Sequence, residues 1–232
     1  MSMVMAYPVL NWFLTSKHHA RQPLMNRRSK LRIAGLLFAL VANLSGFSQS
    51  TYSQHLLAHR ENYKAEFLKS PKSPLKKEDL KNLRFYDPDS MYRVEATVQR
   101  TPQAEPFDLP TYDGQKKSYV PYAVLTFRIH GKPYQLTLYR SLQLARLPQY
   151  RDYLFLPFKD ATNGRETYGG GRYIDLRMGD VKEGKIVIDF NKAYNPSCAY
   201  SDGYACPIPP RENHLAVAVE AGEKNYELRV KN

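Results

Sequence analysis

Two polar stretches hold most of the residues that could do chemistry. The first is Phe158 to Tyr173, FKDATNGRETYGGGRY. Asp160 and Glu166 are carboxylates suited to general acid and base work, and Arg172 could clamp an anion or a carboxylate. Thr162 and Tyr168 add hydroxyls beside them, and Glu166 and Arg172 can pair as ions on one face. The plainer alternative is two tight turns, Asp160 to Gly164 and Gly169 to Gly171, with an Arg–Glu pair holding a hairpin. A phosphate loop does not fit, because no Lys-Ser/Thr and helix start follow the glycines.

The second stretch is Asp189 to Pro210, DFNKAYNPSCAYSDGYACPIPP, with Asn213 just beyond it. Asp189 is a third carboxylate for acid–base work, although beside Asn191 it can equally cap the backbone. Asn191, Tyr194 and Asn213 could bind a polar ligand. Both cysteines of the chain are here, and in an exported protein such a pair bonds. A Cys198–Cys206 bridge, with Pro207, Pro209 and Pro210 after it, would fix a segment too irregular for helix or strand. A metal is the competing reading. Cys198, Cys206 and His214 match no standard zinc spacing, and Asp202 would have to be the fourth ligand. A catalytic thiol would need His130 or His214 as partner, with nothing linking either to it. His55 and His59 share a helical face but lack a third ligand. The sequence implies no metal and no cofactor.

The elements that must position these stretches are mostly strands. Tyr52 to Leu68 reads as a helix, with Leu56, Tyr63 and Phe67 on one face, and Ser73-Pro74 opens a short helix to about Lys81. From Phe85 the pattern changes. Tyr92, Val94, Ala96 and Val98 alternate with polar residues, the period of a half-buried strand. Asp113-Gly114 and His130-Gly131-Lys132 are hairpin turns, and Pro121 asks for an edge or a bulge. DYLFLPF, KIVIDF and HLAVAVEA read as further strands. About eight strands joined by short turns give a mainly β fold: an antiparallel sheet curled into a barrel or sandwich, with a short N-terminal helical lead-in.

Met25 opens a basic, then apolar, then small-residue order, that of a secretory signal peptide ending at Ser48. Residues 1–24 read as an upstream extension outside the natural protein, 25–48 as the signal, 49–84 as the lead-in and 85–232 as the β-rich remainder of a single domain. The apolar run Ile33 to Leu44 is shorter than the ~20 residues of a membrane span, so export without a span is expected. The segment Met1–Ser48 holds six of the 34 basic residues and none of the 22 acidic ones, so the rest carries +6. That excess is mild, and the lysines of the lead-in match no nucleic-acid module. The remaining partner is a small molecule. The sequence carries no mark of oligomeric state.

The order FxDxTxGxETYGxGRY, DFNxAYNPxCAY, CPxPPxxNxL and AGEKxY, ending at Tyr226, resembles the bacterial Domain of Unknown Function 1684 family. The likeness runs from about Leu56 to Tyr226. It implies that the two polar stretches belong to one recurrent design and meet in space, but the family supplies no activity, substrate, cofactor or catalytic residue. Some members lack an export signal and would keep these thiols reduced. The leading expectation is an exported protein binding a small polar or sugar-like ligand in a pocket walled by Phe158–Arg172 and Asp189–Asn213. The alternatives are a hydrolase using the carboxylates and a purely structural, bridged cap.

Overall fold

A computed structural model describes residues 51–226, all within one unit of the chain, Gly46–Asn232; the other unit, Met1–Ser45, lies outside the described residues, as does the expected signal. Residues 51–67 form helix α1, tightened at its end by bonds from Leu68 N to Ala65 O and from Lys69 N to Glu66 O. Among the described residues no helix is long and apolar enough to cross a membrane. The short helix expected from Ser73 is instead a six-residue 3₁₀ helix that starts later, Lys77–Asn82. Ser73 Oγ bonds both the N–H and the C=O of Leu75, which turns the chain too early for a cap, and the buried Leu75 then pins it.

Seven antiparallel strands follow: β1 Arg93–Arg100, β2 Phe107–Pro110, β3 Lys116–Ile129, β4 Lys132–Ser141, β5 Tyr153–Phe158, β6 Arg172–Arg177 and β7 Lys185–Asp189. Their order is β6-β5-β4-β3-β1-β7, with β2 paired to the first residues of β3, and the sheet curls into a half-barrel. The β3–β4 hairpin turns through His130 and Gly131, both at positive φ, as a two-residue turn matched to strand twist requires. Pro121 sits at a bulge. Pro121 pairs Tyr139, but Ala123 pairs Leu138, leaving Tyr122 unmatched. The slip flips the strand, so Tyr119 faces one layer while Ala123, Leu125 and Phe127 face the other.

Both faces of the sheet are therefore covered. On β5, Leu154, Leu156 and Phe158 enter the main core, and Phe155 enters a second cluster with Leu109, Tyr119, Tyr139 and Tyr173. A third cluster lies under the lead-in, where Leu75, Leu83, Tyr200 and Tyr226 meet Tyr63 and Phe67 of α1.

One expected strand is absent. HLAVAVEA, His214 to Ala221, forms a single parallel bridge to Lys159 and otherwise no ladder. Its first half bonds backbone to backbone, with Leu215 N donating to Lys159 O and Val217 O accepting from Ala161 N; in its second half Arg172 collects the carbonyls of Val219 and Ala221, and Val219 N–H donates to Asp160. From Val219 on, the backbone groups that a neighbouring strand would need are spent on the interior ion pair.

Candidate functional site

Phe158–Arg172 is held together from within. Arg172 is wholly buried and pairs with Asp160 at 2.8 Å, not with Glu166. Its guanidinium also donates to the carbonyls of Val219 (2.9 Å), Ala221 and Glu223 (3.2 Å). Asp160 accepts from Thr162 N (2.8 Å), Thr162 Oγ1 (2.6 Å) and Val219 N (3.2 Å), and Thr162 Oγ1 also meets Thr167 Oγ1 at 2.7 Å. The expected Glu166–Arg172 pair does not form because Glu166 is exposed, on the far side of the turn from a sealed arginine. Tyr168 is half-buried and edge-on to Tyr112.

Asp189–Asn213 divides into staples and a cavity wall. Asp189 caps the turn after β7, accepting from Asn191 N (3.2 Å), Asn191 Nδ2 (3.1 Å) and Tyr52 of α1 (2.9 Å). Asn191 in turn exchanges both its side-chain groups with the backbone of Asp89. Asn213, fully buried, accepts from Thr137 N and donates to the carbonyls of Thr137 and Pro157. Cys198 and Cys206 are bonded, with Cα atoms 6.3 Å apart. Their sulfurs are thus committed to each other, and among the described residues no three His, Cys, Asp or Glu side chains gather as metal ligands. His55 and His59 lie on the exposed side of α1, and His214 Nε2 is 3.1 Å from the Pro209 carbonyl.

A concave site lies between this bridged loop and the lead-in. A cavity of about 510 Å³ is lined by Tyr63, Glu66 and Phe67 of α1, residues of the turn after it from Ser70 and Lys72 to Pro74, Lys117 of β3, Tyr173 of β6, and, from the loop, Tyr194 to Ser197, Tyr200 and Tyr204 to Pro207. No residue of Phe158–Arg172 lines it; of the candidate ligand-binding residues only Tyr194 does, along with Cys206 of the bridge. Several bonds set its walls. Tyr173 and Tyr194 exchange backbone bonds (2.9 and 3.0 Å), so the loop starts as an extension of the sheet beyond β6. Tyr204 Oη donates to Lys72 O (2.8 Å), tying loop to lead-in, and Lys117 Nζ donates to Ala205 O.

Behind these rings lies a charge that sequence inspection passes over. Glu223 is fully buried, accepting from Tyr200 Oη (2.6 Å), Tyr63 Oη (3.0 Å) and Asn195 N (2.9 Å). Burial pushes its carboxyl up to about 7 in spite of those donors, and pushes the Tyr63 and Tyr200 phenols well above their usual value. Asn195 is 2% exposed; its Nδ2 donates to Lys224 O, while its Oδ1 is buried with no partner. On the outer side, Asp175 Oδ1 accepts from both Tyr153 and Tyr194 hydroxyls, at 2.7 Å each. Asp175 is exposed by area, yet the rings around its carboxyl desolvate it enough to raise its pKa. Burial likewise lowers Lys117. Tyr63 was readable as part of the apolar face of α1. Tyr200 and Glu223 fall inside the motif stretches, but no local pattern marks either as buried.

The family described as "Protein of unknown function (DUF1684)" matches residues 78–224. No curated protein matches in sequence. Among solved structures, an uncharacterized protein of Haloarcula marismortui, determined by solution NMR, is similar at 38% identity with a TM-score of 0.59, over 76% of this chain and 96% of that one.

Proposed function

The chain belongs to the DUF1684 family of proteins of unknown function, and from that premise we propose that it binds a small polar, sugar-like ligand between α1 and the bridged loop. The carrying observation is the cavity itself, about 510 Å³ between α1 and the bridged loop, with the rings of Tyr63, Tyr173, Tyr194, Tyr200 and Tyr204 on its wall beside Asn195. Asn195 Oδ1 is a buried acceptor without a partner next to that wall, and buried polar atoms are nearly always satisfied, so a turn of this amide toward a ligand hydroxyl would supply the missing bond. Tyr173, Tyr194, Tyr200 and Tyr204 supply apolar ring surface on which a sugar ring can pack, while their hydroxyls donate within the protein to Pro207 O, Asp175, Glu223 and Lys72 O. The volume suits one or two such rings.

Binding is preferred to hydrolysis because the three carboxylates named for acid–base work are placed differently. Asp160 is paired inside, Asp189 caps a turn and Glu166 stands in solvent. Phe158–Arg172 serves as the packed support behind the site, as the structural alternative expects of it. We also propose export to a periplasmic or extracellular compartment. The leader order of Met25 to Ser48 supports this, as does a disulfide on the cavity wall, since such bonds persist in oxidising surroundings.

Native mass spectrometry of the protein purified from its own cells tests the reading. A retained small-molecule mass that disappears in Asn195→Leu supports it. A bare protein mass, together with no mass gain on incubation with a panel of mono- and disaccharides, contradicts it.

A further inference from the structure

Beside the larger cavity lies a second of about 310 Å³, and the two share Tyr63, Glu66 and Tyr194 as a common wall. We propose that this smaller cavity is an anion subsite, taking the phosphate or carboxylate group of a ligand whose hydroxylated body lies against the tyrosines of the larger one. The proposal rests on the binding reading above and narrows it to acidic, sugar-like molecules.

Arg60 carries the argument. It lines the smaller cavity and is 8% exposed, yet no carboxylate among the described residues reaches ion-pair distance of it. Its Nη2 donates to Tyr86 O at 2.7 Å and its guanidinium lies 4.8 Å from the Phe85 ring centre, but Nε is buried with no partner. Asp87 and Asp189 act on it only from a distance. A buried guanidinium without a counter-charge is costly, and an arriving oxyanion relieves that cost with charge-assisted bonds.

The charges around Arg60 point the same way. Lys192 lines the same cavity, is exposed, and has no ion pair among the described residues. His59 is the third basic group; its ring is exposed by area, but partial desolvation against the protein and the nearby Lys192 charge lower its pKa. The two acids on the cavity are already engaged. Glu66 bonds Lys69 at 2.5 Å, and Asp175 accepts from Tyr153 and Tyr194. The cations at this cavity are therefore open while its carboxylates are occupied.

Calorimetric titration of the full chain with inorganic phosphate, glucose, glucose 6-phosphate and glucuronate tests the subsite. Phosphate alone is expected to bind saturably and more weakly as salt is added. An acidic sugar is expected to bind about tenfold or more tightly than glucose, the worth of one charge-assisted contact. Arg60→Gln and Lys192→Gln should each remove that advantage and leave glucose binding as it was. Lys192→Gln, at an exposed position, decides the matter if Arg60→Gln fails to fold. Glucose 6-phosphate against glucuronate tells which oxyanion is preferred. Glucose binding with no phosphate binding overturns the subsite and leaves the binding reading standing. Phosphate binding that depends on Lys192, with no sugar bound, does the reverse. Equal affinity for neutral and acidic sugars, or phosphate affinity indifferent to both substitutions, also overturns the subsite.

Discussion

Replacing Glu223 by Gln should change how stability depends on pH. The Glu223 carboxyl is raised from its ordinary 4.5 to about 7 by burial. Tyr63 and Tyr200 hydroxyl oxygens lie 2.9 Å apart, and both donate to this carboxylate when it is charged, leaving no hydrogen between them. Protonated, the acid can donate to Tyr200, Tyr200 to Tyr63, and Tyr63 back to Oε2, so every hydrogen in the ring is used. The folded state thus holds the proton more tightly than the unfolded chain. That contribution is complete below about pH 4.5 and is lost as the pH rises through about 7. The loss is on the order of 3 kcal/mol at the alkaline end. Gln mimics the protonated acid: its amide can donate to Tyr200 while its oxygen accepts from Tyr63 and Asn195 N. Urea midpoints for wild type and Glu223→Gln should coincide near pH 4.5 and diverge as the pH rises, with the variant the more stable at about pH 8. Parallel profiles across that range would refute the reasoning, as would a variant less stable than wild type at the alkaline end.

Three further outcomes are expected. Asp160→Ala should cost about 3–5 kcal/mol, because it strands the buried Arg172 charge, while Glu166→Ala stays within about 0.5 kcal/mol; equal costs in urea unfolding would contradict the pairing described. Reducing Cys198–Cys206 should lower stability by about 2–3 kcal/mol, the chain-entropy worth of so short a loop, and an unchanged urea midpoint on adding reductant would argue against it. Peptide mapping of the exported protein should begin at Gln49, and intact peptides from Met1–Leu24 would count against the leader.

Local signals carried the fold well. The alternation of Tyr92 to Val98 became β1, Asp113-Gly114 and His130-Gly131 became turns between paired strands, and Pro121 became a bulge, because each depends on residues a few positions apart. HLAVAVEA has the alternation of a strand too. What cancels it is a guanidinium 47 residues away in sequence, and periodicity carries no record of which carbonyls an arginine will claim. The site was less legible for the same reason. Arg172 and Asp160 looked like ligand groups because charged residues usually face water, and only the packing shows the pair sealed inside. Glu223 sits between Gly222 and Lys224, in what reads as a polar turn, and its partner Tyr63 is 160 residues distant. Arg60 likewise sits among charged neighbours on α1 and becomes notable only when no carboxylate is found beside it.

Amide chemical-shift mapping of the full chain during a saccharide titration is the most direct check on the binding site. Saturable shifts should concentrate at Asn195, Ser197, Tyr200, Tyr204 and Ala205 of the loop and at Tyr63 to Ser73 of the lead-in, the two walls of the larger cavity. Shifts confined to Phe158–Arg172, or no saturable shift with any neutral or acidic sugar, would contradict a ligand site between α1 and the bridged loop.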